Sequence, residues 1–237
     1  MSNVSHQMRL HCYCCDEIAN TDEHVPPQCL FPERKDLPQN VDLRRNLITV
    51  PSCIEHNLKK SGDDEYLMYV LAMNLPAQKI GHHHFSTKIA RAIQRRPSLA
   101  KRVLSKVTLV TLHDTHSNVT FETFAIRAEG ERLERTLEMV ALGLFRHHFG
   151  KRWCGKIRVV PEFLRFMTDE RSTYWNNAME ETSAYADALF AQVVFHGANP
   201  SIFRYQVINE SSESPGAIRM HFYGGCKVLA VYGAAAG

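Results

Sequence analysis

Cysteine, histidine and carboxylate side chains crowd into the N-terminal quarter of a chain of 237 residues. Cys12-Tyr-Cys-Cys15 contains a C-x-x-C pair, and Cys53-Ile-Glu-His56 is a C-x-x-H pair. This spacing keeps both ligands of a pair on one side of a tight turn. Two such half-sites separated by a loop suit a tetrahedral structural zinc ion held by thiolates and an imidazole. Cys14 is an alternative ligand, although its C-x-C or C-C spacing fits the geometry less well. Free buried cysteines are the alternative to any metal at all. A zinc pin across the half-sites brings together the residues strung between and beside them. These are Glu23-His24, stiffened downstream by Pro26 and Pro27, Asn46 before the apolar run Leu47–Val50, and Asn57 directly after the last ligand. Taken singly, an acid next to a histidine is a surface ion pair, Asn46 a turn residue and Asn57 a helix cap.

In this order and between these half-sites, the residues resemble the HNH endonucleases, whose fold is the ββα-metal module. The likeness covers about Cys12 to Leu67. It comprises the knuckles, the acid-His pair with its downstream proline, Asn-Leu before a strand, and C-x-x-H-N followed by Lys-Ser and an acidic cluster. HVPPQCLFP and NLITVPSC are especially like one bacterial subgroup. His56 is a departure, since a fourth cysteine is more usual there. The resemblance implies that His24 is the general base, taking a proton from the water that attacks the scissile phosphate, a task that suits an imidazole. Glu23 matches the acidic ligand, and Asn57 the amide ligand, of one catalytic Mg²⁺ or Mn²⁺. The oxygen donors favour Mg²⁺. Asn46 matches the middle letter of the motif, which shapes the loop and helps orient the base. The implied reaction is hydrolysis of phosphodiester bonds in DNA, with RNA as the alternative substrate, leaving a 5′ phosphate and a 3′ hydroxyl. Standalone nucleases of this kind are found in bacterial antiviral defence and mobile elements, and a cell needs some restraint on them, such as a partner protein or self-association. The rival readings are a zinc-containing module that kept the fold and binds nucleic acid or protein without cutting, and a sensor that uses the nuclease as its output.

The elements that must position these residues follow from pattern. The expected fold class is α+β. A zinc-pinned ββα-metal module spans 1–75, a basic helical connector 76–106, and an α+β domain with antiparallel strands 107–237. A short strand is expected at Leu47–Val50. A helix starts near Asp63, with acids in its first turn and Tyr66, Leu67, Val70, Leu71 and Met73 on its apolar face. Residues 84–107 read as helix, break at Pro97, helix. From Tyr66 to His113 there is no acidic residue, whereas Lys79, Lys88, Arg91, Arg95, Arg96, Lys101, Arg102 and Lys106 fall inside that window. It is the natural phosphate-contacting surface, with Arg95, Arg96, Lys101 and Arg102 its most exposed candidates. A solvated helix face is the plain alternative. His82–His84 reads as a surface loop, because three adjacent histidines do not share a face.

Beyond residue 107 the pattern gives strands at Val107–His113 and Val119–Ile126, then a long amphipathic helix at about Glu131–Phe149. A strand at Lys156–Val160 and a helix over about Glu170–Ala188 follow. The last strands are Phe203–Ile208 and a hairpin over Ile218–Tyr232 that turns at Gly224–Gly225.

Bulk properties narrow the rest. Hydrophobic content of 44% and charged content of 22% are ordinary for a globular protein, and a net charge of +3 permits nucleic acid without demanding it. The seven cysteines are odd in number and clustered, which favours metal ligation over disulfides. No signal peptide or membrane span is expected, so the cytoplasm is the default location. No Walker loop, dinucleotide fingerprint, nucleophile elbow or H-E-x-x-H occurs, which leaves ATP and dinucleotide chemistry unsupported.

Overall fold

A computed structural model describes residues 10–95, 107–114, 118–167, 171–211 and 214–233. The chain is α+β, with every paired strand antiparallel. Strands β1 (Thr21–His24) and β2 (Thr49–Ser52) form a two-stranded sheet, followed by the short helix α1 (Ile54–Asn57) and the longer α2 (Ser61–Ala72). A helical stretch comes next: α3 (Lys79–His84), a π-helical segment Phe85–Ile89, and α4 (Ala90–Arg95). Strands β3 (Val107–Asp114) and β4 (Val119–Ile126) make a separate hairpin. Helix α5 (Gly130–Phe149), β5 (Ile157–Pro161) and α6 (Ser172–Phe190) precede the final strands. These are β6 (His196–Asn199), β7 (Phe203–Ser211), β8 (Ser214–Phe222) and β9 (Cys226–Tyr232), and with β5 they form a sheet of order β5-β9-β8-β7-β6.

The amphipathic pattern of α5 explains where the core lies. Leu133, Leu137, Val140, Ala141 and Leu144 recur at helical spacing, and all are buried. The helix packs on α2, β5 and β2, and the Tyr232 hydroxyl at the end of β9 donates to Ala141 O at 2.7 Å. The period-2 strands present Phe203, Tyr205, Ile218, Met220, Phe222, Val228 and Ala230 to the same core. At Gly143, α5 packs directly on Val25, just past the end of β1. A Cβ there would lie 2.5 Å from a methyl of Val25, the residue after His24. A helix-interior glycine costs about 1 kcal/mol relative to alanine, and here it lets the helix lie against that strand end.

The core is continuous between the segments 1–75 and 107–237. Buried residues from Cys12 to Tyr232 form one cluster. The Tyr223 hydroxyl donates to Leu30 O at 2.7 Å, and the Gln78 amide donates to Tyr223 O at 2.9 Å. The Gly224–Gly225 turn is as expected. A Cβ on Gly225 would sit 1.9 Å from Pro76 O, so glycine is required for this close approach. On the opposite face of the sheet, Arg219 is buried and bonds Glu162 through two nitrogens, at 3.0 and 2.6 Å, and Asp187 at 2.7 Å. This network anchors α6, most of whose residues are exposed.

Several expectations are corrected. Helix begins at Lys79, not near His84, and His82–His84 is helical. Consecutive helical residues point in different directions, and His84 falls on the packed side, fully buried with Nε2 3.1 Å from Cys29 O. Strand β6 lacks the alternating apolar pattern that marks the other strands, so His-Gly-Ala-Asn gave no signal. The proposed break at Pro97 lies outside the described residues. No helix among the described residues is long and apolar enough to cross a membrane.

Two buried histidines carry a pH prediction. Burial, reinforced by nearby cations, holds His84 and His221 down at about 4. Between the unfolded value near 6.5 and about 4, the unfolded chain takes up protons that the folded chain refuses. Stability therefore falls as pH drops through that window, by about 3 kcal/mol for each histidine at the acid end. Urea midpoints measured from pH 7 to 4 should decline, and His221→Phe should make the decline shallower. A slope unchanged in that variant would show that His221 charges freely in the folded protein.

Candidate metal centre and active site

The first half-site sits at the tip of a small hairpin closed by Cys12 N to Glu17 O at 2.9 Å and Ala19 N to Leu10 O at 2.8 Å. Tyr13, buried between the half-sites, donates its amide to Pro51 O at 2.8 Å and so ties this hairpin to β2. The second half-site begins where β2 ends: Cys53 caps α1 in an extended conformation, and His56 lies one turn on. The consequence is convergence. The ligand atoms of Cys12, Cys15, Cys53 and His56 all lie within 4.8 Å of one another. Cys53 Sγ is 3.2 Å and Cys12 Sγ 3.8 Å from His56 Nδ1, while Cys15 and Cys53 Sγ are 3.8 Å apart.

Three sulfurs and one imidazole nitrogen form a set able to hold a metal ion such as zinc. Electrostatics agree. Burial pushes the Cys15 thiol up to about 12 and the Cys14 thiol up to about 11, so thiolates packed here need a cation to be stable. Burial opposes ionisation of Cys12 too, but backbone N–H groups, that of Cys14 among them, bring it below the ordinary value. Cys14 stands outside the set, its amide donating to Cys12 Sγ at 3.4 Å.

The predicted site residues distribute as follows. His24 ends β1, opposite Thr49, and is half-buried. Burial lowers its affinity for a proton; Asp22 works the other way, and Arg44 adds to the lowering. The balance favours the neutral imidazole. Asp22 and His24 share one face of the strand, since side chains alternate. Asn57 ends α1 and donates Nδ2 to Asp22 O at 3.0 Å, which fixes the amide against β1. Asn46 is exposed in the left-handed region, φ 53°, where asparagine is tolerated. The carbonyl of its neighbour Arg45 accepts from Asn199 Nδ2 of β6 at 2.9 Å. The Arg44 guanidinium grips Phe31 O through Nε and a terminal nitrogen, at 3.1 and 3.0 Å.

Glu23 points to the other face and is buried. Its carboxylate meets Lys60 Nζ at 2.6 Å, and the same ammonium takes both Asp64 oxygens at 2.7 Å. Lys60 itself is only 8% exposed. Two carboxylates thus share one cation. Burial pushes the Glu23 carboxyl up to about 7, with Lys60 opposing and Asp64 adding to the rise. In the sequence, Lys60 reads only as part of the Lys-Ser that follows Asn57, and Asp64 as one of three acids that could reach the metal or simply start the helix; their pairing with Glu23 is not visible there. The i, i+4 spacing of a lysine and an acid at a helix start was a signal, but it is too common to distinguish a buried pair from a surface one.

In the basic stretch, Arg95 is exposed at the end of α4. Arg96, Lys101 and Arg102 lie outside the described residues. Two cations of that stretch serve the fold: Arg91 pairs with Asp36 at 2.6 Å, and Lys88 donates to Cys29 O at 3.2 Å.

No protein-family model, curated protein or solved structure matches the chain. Its chemistry rests on its own residues.

Purified without chelator, the protein should carry one zinc per chain, and Cys53→Ser should lose it. Cobalt substitution should give the absorption of a tetrahedral site with three sulfurs. Chelation should lower the melting temperature and loosen the β1–β2 pairing first, because two four-residue strands are marginal by themselves. Metal content well below one per chain in folded protein would count against the site.

Proposed function

We propose that the chain is a metal-dependent endonuclease of the HNH kind, acting on DNA. One observation supports this reading above the others. A ββα unit is tied at one end by a Cys₃His cluster, and it carries a neutral-leaning histidine on its first strand and an asparagine amide hydrogen-bonded to that same strand. In this reading His24 accepts the proton of the attacking water. Its depressed proton affinity keeps it free to do so near neutral pH. Asn57, with Nδ2 committed to Asp22 O, offers its amide oxygen as a ligand, and Glu23 offers a carboxylate. A Mg²⁺ held there would neutralise charge on the phosphate and on the leaving oxygen. Glu23 lies on the face of β1 opposite His24, so for it to serve, Lys60 has to release it and the carboxylate has to turn toward Asn57; the Lys60 ammonium would then be available to a phosphate. Arg44 and Asn199 brace the turn that carries Asn46, and in this reading Asn46 helps orient the base. Exposed Arg95 would add salt-dependent affinity for the backbone. RNA is the alternative substrate. A role in bacterial defence or a mobile element is part of the same proposal, as is a partner protein or self-association that restrains cutting.

A second reading has a specific observation behind it. The closed Glu23–Lys60–Asp64 triad suits a module that binds nucleic acid or protein without cutting.

Supercoiled plasmid with Mg²⁺ or Mn²⁺ decides between them. Nicking or linearisation should occur with the wild type and vanish in EDTA. His24→Ala should lower the rate by at least about 100-fold, and Asn57→Ala should raise the Mg²⁺ requirement. Cleavage that survives His24→Ala would falsify the assignment of the base. Retarded migration of intact DNA, without cutting, would select the binding module.

A further inference from the structure

A cleft of about 580 Å³ lies away from the candidate nuclease site. One wall is the C-terminal half of α2, with Val70 and Met73. The opposite wall is the inner face of the β3–β4 hairpin, where Leu112 and Phe121 form a cross-strand pair. The floor includes Phe163 and Phe166. Strand alternation accounts for this face: Val110, Leu112, Phe121 and Thr123 line the cleft together. A volume of this size, walled by aliphatic and aromatic groups with a few polar ones, is what small-molecule sites look like.

Four charged residues line the cleft, and their pairing is unequal. The Glu129 carboxylate is 3.5 Å from Arg132, and that of Glu180 is 3.8 Å from Arg165. Arg127 is exposed and has no counter-ion among the described residues. The lining thus offers a large apolar surface with one uncompensated guanidinium. We propose that the cleft binds a small amphipathic anion, an apolar chain or ring ending in a carboxylate, with the apolar body between α2 and the hairpin and the carboxylate on Arg127. A guanidinium pairs with a carboxylate through two parallel N–H donors, which fixes the head while the apolar walls take the tail. The site stands independently of the nuclease reading. It bears on α2, whose first turn holds Asp64 against Lys60.

Dodecanoate is the probe, titrated into the full-length protein by calorimetry, with tryptophan emission followed in parallel. Trp175 lies tilted against Phe166, with ring centroids 6.2 Å apart, and so reports on the floor of the cleft. Dodecanoate should bind saturably, one per chain, and raise the melting temperature. Arg127→Ala should weaken it about tenfold, the effect of losing a charged hydrogen-bonding partner, while leaving dodecanol binding unchanged. Val70→Trp should fill the cleft and abolish binding of both. Leu112→Glu on the facing wall should expel the anion selectively, and circular dichroism with zinc content verifies the fold of each variant. Absence of saturable binding to folded wild type would overturn the proposal. So would equal affinity for dodecanoate in Arg127→Ala, or undiminished binding in folded Val70→Trp and Leu112→Glu.

Discussion

Cys12 and His56 stand 44 residues apart, and the stretch between them contains two four-residue strands and two single-turn 3₁₀ helices. Little in that segment can hold itself together. A two-stranded sheet of this length is marginal in water, and closing so long a loop costs chain entropy that few local contacts repay. The convergence of four donor atoms within 4.8 Å is therefore the constraint on which the first third of the molecule depends. It fixes where β2 turns into α1, and thereby where Asn57 meets β1. A cation held by these four donors would add the energy that two such short strands lack. The neighbouring Glu23–Lys60–Asp64 triad does a related job with charges of the chain's own, since a buried carboxylate is tolerable only beside a partner.

Much of this was legible in the residues, and the reasons differ by element. The ligand set could be read because metal ligation demands particular side chains at particular spacings. Helix α5 could be read because its apolar residues repeat at helical period over five turns, and the β8–β9 hairpin because Gly224–Gly225 is turn chemistry. Less visible was which face each residue would take. Glu23 and His24 are adjacent in sequence, yet the period-2 strand sends the acid inward to Lys60 and leaves the imidazole with Asp22 and Arg44. His84 looked like one of three equivalent surface histidines until the helix turned it inward. Strand β6 has no pattern of its own; its place at the sheet edge comes from pairing with β7, a tertiary effect that a single sequence does not encode locally.

Within the basic stretch, two cations have partners that the local sequence does not show. A window without acids reads as an unopposed positive surface, but opposing charge need not be near in sequence. Asp36, 55 residues before Arg91, pairs with it, and the carbonyl of Cys29 takes Lys88. Charge counting along a chain works for helices that face solvent and fails for those that pack.

The last described strands and α5 reach back to the segment between Val25 and Pro76. Tyr223 bonds to Leu30, Gly225 lies against Pro76, Asn199 supports the turn at Arg45, and α5 yields a glycine so that Val25 can approach. On a ribosome, the N-terminal strands emerge long before these partners exist. The surroundings of β1 and α1 therefore stay incomplete until β9 has been made, which builds a delay between synthesis and the finished fold into the topology itself. A cell translating such a chain holds no finished β1–β2 site for as long as the polypeptide is still being elongated.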